Sequence, residues 1–202
     1  MINDLRLAIL VTIFLAAGFE TAFPQQSEIG FNGGLNIYSL NFSDNHVTGN
    51  RSVLHYGFIG RFYPEKIAPL SLQTELIYSP QGVKLRSENS LIRLDHVNVP
   101  ILFQYKFDND ILVQAGPQLG FLMNAWADQD AATYDLKNRF RKVDLSLSAG
   151  LSYPLMSNGL GIDIRYNLGL SKISTDSFYR SRNRGLKISL FYLFDFSNHS
   201  SR

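Results

Sequence analysis

Hydrophobic and polar positions alternate along most of this chain with a period of two, most cleanly between Val143 and Leu170. Val143, Leu145, Leu147, Ala149, Leu151 and Tyr153 share one parity, and Asp144, Ser146, Ser148, Gly150 and Ser152 share the other. After Pro154-Leu-Met-Ser-Asn-Gly159 the pattern resumes. Leu160, Ile162, Ile164, Tyr166, Leu168 and Leu170 alternate with Gly161, Asp163, Arg165, Asn167 and Gly169. A period of two over this distance predicts strands and not helices. A strand of a soluble sandwich is usually about five or six residues long. Runs of about nine to eleven, apolar on one face and small, polar or charged on the other, are what a membrane-spanning barrel needs.

The same pattern recurs along the chain. It predicts strands over residues 29–40, 51–63, 70–82, 91–107 and 111–125, then the hairpin above, then 183–196. Short connections at 64–69, 108–110 and 154–159 alternate with long ones at 41–50, 83–90, 126–140 and 171–182. That asymmetry matches the periplasmic turns and extracellular loops of outer-membrane barrels. The predicted fold is therefore all-β: an eight-stranded antiparallel up-and-down transmembrane β-barrel with both chain ends on the periplasmic side. Closure removes exposed strand edges and pairs every backbone donor, as hydrocarbon requires. A soluble sandwich is the competing fold.

A signal peptide is expected to precede the barrel. Leu7 to Ala17, LAILVTIFLAA, is an apolar run short of a comfortable transmembrane helix and suited to a signal-peptide core. Residues 1–26 are read as the leader, cleaved between Gly18 and Gln26, and residues 27–202 as the barrel domain. A retained anchor helix is the alternative.

Composition narrows the function classes. Of the 202 residues 45% are hydrophobic, and mean hydropathy is −0.05, which excludes a helical membrane bundle. Aromatic content of 13% fits interfacial girdles. The net charge of +2 gives no ground for a nucleic-acid partner. With no cysteine there is no disulfide, thiol chemistry or thiolate metal site. No metal-ligand spacing occurs, and no cofactor is expected.

An eight-stranded barrel is just wide enough for side chains to fill it. On the inner parity lie Arg61, Glu75, Lys106, Asp144, Asp163, Arg165 and Asp195. Charges of both signs at these positions predict an interior ion-pair network; a proton or ion path is the functional alternative. Basic and aromatic residues gather in the predicted outer loops: Lys84, Arg86, Trp126, Arg139, Arg141, Lys142, Arg180, Arg182 and Arg184. They suit the phosphates of lipopolysaccharide, or an ordinary solvated rim. Of the four histidines, His55 and His96 fall on the inner parity. A lipid-modifying enzyme would pair such a histidine with a serine and an acid, but no such constellation is visible in the sequence.

Several phrases, in order, resemble the PorT-like family of small outer-membrane β-barrels. LQTELIYSPQG is similar to the family's Glu-Leu-x-Tyr strand. LDHVNVPILFQYKF is similar to its proline-containing strand, with His96 where tyrosine is usual. GPQLGFLM, VDLSLSAGLSY, RYNLGLSKI and NRGLKISLFYLF continue the resemblance to the end of the chain. The resemblance implies an outer-membrane location and a link to protein secretion. The expected function is a non-enzymatic structural or accessory component of an envelope or secretion complex, with a side-chain-filled core and no general pore. Expected partners are outer-membrane lipids including lipopolysaccharide, and envelope or secretion proteins. A barrel that binds an extracellular or lipopolysaccharide ligand through its outer loops is the alternative, and a lipid-modifying enzyme stands behind both.

Overall fold

The computed structural model describes residues 25–41, 48–49, 51–64, 67–85, 90–129, 132–137, 140–171 and 182–195. Eight long strands make up the barrel: β1 Gln25–Asn41, β2 Arg51–Pro64, β3 Leu70–Leu85, β4 Ser90–Lys106, β5 Leu112–Gln129, β6 Val143–Pro154, β7 Leu160–Gly169 and β8 Arg182–Asp195. Each pairs antiparallel with its neighbours in sequence, and β8 pairs antiparallel with β1 to close the circle. Two short strands sit outside the circle. Thr48–Gly49 pairs with the end of β3, and Ala132–Asp135 pairs with the end of β5. The predicted leader falls on residues outside this description, except that Gln25 and Gln26 open β1 opposite Pro64 and Tyr63.

The register can be followed once around the barrel. Phe62 lies beside Leu72, then Phe103, Ala115, Ala149, Tyr166, Leu186 and Ile37, and the path returns to β2 at Ser52. The return is 62 − 52 = 10 residues from its start. For eight strands that stagger corresponds to a tilt of roughly 40°. Every residue on the path up to Ile37 is apolar and on the outward parity. A second row, Tyr56, Tyr78, Val97, Phe121 and Val143, runs higher up the wall. Val97, Val99, Phe121 and Met123 pack together there with Leu76, Tyr78 and Leu119.

These rows mark the hydrocarbon band. On β4 it is bracketed by Asp95 above and Lys106 below. At about 3.3 Å per residue and a 40° tilt, that interval rises roughly 28 Å along the barrel axis, close to the ~25 Å apolar band of such barrels. Aromatic rings cluster toward the turn end, where Phe31 meets Phe58 at 5.3 Å and Phe194 at 6.1 Å, and Tyr105 meets Phe107 at 4.9 Å. This is the level where amphipathic rings favour the headgroups.

Several predicted loops are shorter than the sequence implies, because the strands continue past the membrane. β3 runs on to Leu85 and β4 begins at Ser90, so 83–85 and 90 of the predicted loop 83–90 are strand. β5 runs to Gln129 and turns back as Ala132–Asp135, so the loop read as 126–140 is partly a hairpin. By contrast β6 and β7 are 12 and 10 residues long, and rise little beyond the band. The wall is therefore lopsided, with a β platform on the β3–β5 side.

A bulge separates that platform from the band. Asp95 pairs with Asn124 but His96 pairs with Leu122, which leaves Met123 as the extra residue on β5. The extra residue inverts the parity above it. Asn124, which shares sequence parity with the inward Gln114 and Gln118, faces the same way as its partner Asp95, and Ala125 turns in to pack with Leu94, Leu122, Leu136 and Phe140.

Candidate functional site

The barrel interior is polar at its centre and apolar near both ends. Toward the turns, Ile59, Phe191 and Leu193 form a buried cluster, and the Arg61 guanidinium lies 5.0 Å from the Phe191 ring centre. Toward the loops, Leu94, Leu122 and Ala125 form another beneath Leu136 and Phe140. Glu75 lies between them and organises the charged layer. Its carboxylate accepts four hydrogen bonds: from Asn32 Nδ2 at 2.8 Å, Gln73 Nε2 at 2.5 Å, Arg165 Nη2 at 2.5 Å and Lys187 Nζ at 2.9 Å. That uses the full acceptor capacity of a carboxylate.

Arg165 also donates through Nε to Asp163 Oδ1 at 2.5 Å, and Asp163 Oδ2 accepts from Gln114 Nε2 at 2.5 Å. Gln104 Nε2 donates to both Gln114 Oε1 and Gln73 Oε1 at 2.9 Å. Arg61 closes the layer from below, donating from Nη2 to Gln73 Oε1 at 2.8 Å. Two acids, Glu75 and Asp163, balance the two bases bonded to them, Arg165 and Lys187, while Arg61 is a third buried cation held by Gln73 and the Phe191 ring. All five are buried. Balance matters here because an unpaired buried charge is strongly destabilising.

The predicted interior residues divide as follows. Arg61, Glu75, Asp163 and Arg165 meet in this layer. Asp144 is also buried, but near the loop end, where it accepts a hydrogen bond from Ser171 Oγ. Lys106 is corrected: its side chain is 49% exposed, and its Nζ lies 2.8 Å from Asp110 Oδ1 in the adjoining turn. Parity puts Lys106 inward, but the barrel wall ends there and the ammonium stays in water. Asp195 ends β8 opposite Glu28, and its side chain lies outside the described residues. Lys187 was absent from the predicted charge set, although it alternates with Leu186 and Ile188 on the inner parity of β8. Gln73, Gln104 and Gln114 carried the same parity signal.

The outer set is split as well. Lys84, Trp126, Arg182 and Arg184 stand on the ends of β3, β5 and β8 and not in loops. Above the hydrocarbon the wall no longer needs apolar residues outside, so polar sequence there still forms strand. Trp126 and Arg93 are cross-strand partners, both exposed. Arg141, Lys142 and Arg184 are exposed near the same rim. Arg86, Arg139 and Arg180 lie outside the described residues, as do His46 and His199.

The fold makes one pairing that no reading of the sequence suggested. His55 Nε2 and Ser189 Oγ are 2.9 Å apart, joined by a hydrogen bond between β2 and β8. Both are buried, and His55 Nδ1 has no hydrogen-bond partner among the described residues. His96 is two strands away on β4, beside Gly120 and Asn98. Among the described residues no group of three or more His, Cys, Asp or Glu side chains is placed to hold a metal ion.

A family model for the outer membrane protein beta-barrel domain matches residues 20–175. The chain belongs to this family, and the protein is an outer-membrane β-barrel. Two solved structures share the architecture. One is the Neisserial surface protein A, with a TM-score of 0.54 at 13% identity, covering 85% of this chain and 99% of that one. The other is Ail, the attachment invasion locus protein of Yersinia pestis, with a TM-score of 0.50 at 14% identity, covering 84% and 99%. At these identities the likeness concerns the fold alone. Comparison with curated proteins finds no match.

Proposed function

We propose that this protein is a non-enzymatic structural or accessory barrel of an envelope complex, with a sealed core, and that it engages its partner through the β platform above the membrane. The observation that carries this reading is the contrast between interior and rim. Inside, Arg165 and Glu75 join diametrically opposite strands, and glutamines fill the cross-section around them. Outside, β3, β4 and β5 reach 16, 17 and 18 residues while β6 and β7 stop at 12 and 10. Tyr134, at 56% exposure, and Trp126 stand on that platform with Arg93, a composition suited to protein contacts. Catalysis is disfavoured because Ser189 is 1% exposed, so a membrane lipid has no route to it. The resemblance to PorT-like barrels supports protein secretion as the process served.

The exposed Arg93, Arg141, Lys142 and Arg184 support a second reading, in which the rim holds lipopolysaccharide phosphates. One experiment separates the two. The gene is deleted, and the secreted and outer-membrane proteins are profiled after complementation. Under the first reading the intact barrel restores the profile, and a variant carrying Trp126→Ala and Tyr134→Ala inserts normally yet does not. A profile untouched by deletion, or fully restored by that variant, contradicts it. Loss of lipopolysaccharide co-purification on neutralising the four basic residues favours the second.

A further inference from the structure

We infer that the charged layer is a closure latch for the seam between the first and last strands. Among the described residues, the cations bonded to Glu75 are Arg165 and Lys187, and both come from the last two strands. In an open sheet Glu75 on β3 would stand four strands from β7 and five from β8. At about 4.8 Å per strand these are separations of roughly 19 and 24 Å, far beyond ion-pair reach. The contacts at 2.5 and 2.9 Å therefore exist only in the closed barrel.

The bonds straddle the seam itself. Glu75 Oε2 accepts from Asn32 on β1 and from Lys187 on β8, so one carboxylate oxygen holds both edges. His55 on β2 reaches past β1 to Ser189 on β8. The charges fit the same purpose. Asp163, Arg165 and Lys187 together carry +1, and Glu75 supplies the −1 that completes them. Shutting β8 onto β1 joins these opposite charges, and reopening separates Glu75 from Arg165 and Lys187 while Arg165 keeps Asp163 on its own strand. The backbone ladder of β1 and β8 is like any other in the wall. What marks this seam is that a buried ion pair, Lys187 with Glu75, reaches across it.

The test is hydrogen exchange of the protein refolded into dimyristoylphosphatidylcholine vesicles, followed peptide by peptide. Glu75→Gln leaves a net buried positive charge and should accelerate exchange of β1 and β8 amides by about a hundredfold, with β4 and β5 unchanged. The double variant Glu75→Gln with Lys187→Met removes that charge and should return the seam toward wild-type protection. Ser189→Ala, which folds without a charge imbalance, should show a smaller rise confined to the same strands. Exchange that rises equally in all eight strands, or in none, overturns the latch.

Discussion

Arg165 and Glu75 meet at 2.5 Å although ninety positions separate them and their strands lie on opposite sides of the barrel. A pair that spans the lumen in this way both ties the walls together and blocks the space between them. Its removal should be felt more than that of any surface pair. Arg165→Leu leaves Glu75 bonded to Lys187, and Asp163 as a buried acid whose bonded cation has been removed. The expected loss is about 3–5 kcal/mol of unfolding free energy, measured by urea titration in vesicles with intrinsic fluorescence. A loss below about 1 kcal/mol, the level of an ordinary exposed pair, would mean that the layer is incidental.

Lys106 supplies the contrast. Its bond to Asp110 has side chains 49% and 56% exposed, so water already solvates both charges. Lys106→Ala should cost less than about 1 kcal/mol in the same titration. A larger loss would imply that Lys106 belongs to the interior after all.

Gly159 is held by conformation and by space. Its φ is +94°, and a Cβ there would lie 2.0 Å from the Leu193 carbonyl oxygen. The same turn donates structure to β8, since Leu193 N–H bonds to the Gly159 carbonyl at 3.0 Å. Gly159→Ala should destabilise the barrel by about 1–3 kcal/mol and lower the temperature at which the compact gel form is lost. Unchanged heat-modifiability would show that the turn can rearrange freely.

His55 and Ser189 look like a catalytic dyad in isolation, and the burial of both argues against that role. His55→Ala and Ser189→Ala should leave the phospholipid and lipid A profile of the outer membrane unchanged, while lowering stability. A lipid species that disappears in both variants, from barrels that still insert, would show an enzyme.

Much of this architecture was legible in the chain because a barrel wall has one simple rule. The alternation of Leu145 with Ser146, or of Ile164 with Arg165, locates a strand and its faces without reference to anything else. The rule fails where its cause does. Lys106 keeps inward parity but stands where the wall ends. Met123 is a bulge that only the register against Asp95 and His96 reveals, so parity alone puts Asn124 on the wrong face. Beyond the hydrocarbon, outward positions need not be apolar, and the platform strands of β3–β5 therefore read as loops. Lys187 was readable by parity. Its partnership with Glu75 was not, because 112 residues lie between them and only closure brings them together.

We propose a barrel that is shut inside and works from its rim. The most direct test is the ionic current through planar bilayers containing the purified, heat-modifiable protein. With the Glu75, Asp163, Arg165 and Lys187 layer intact, the expected current stays at the baseline of the bare bilayer. Reproducible, stable conductance steps from the native protein would contradict it, and would make the lumen, not the rim, the place where this protein acts.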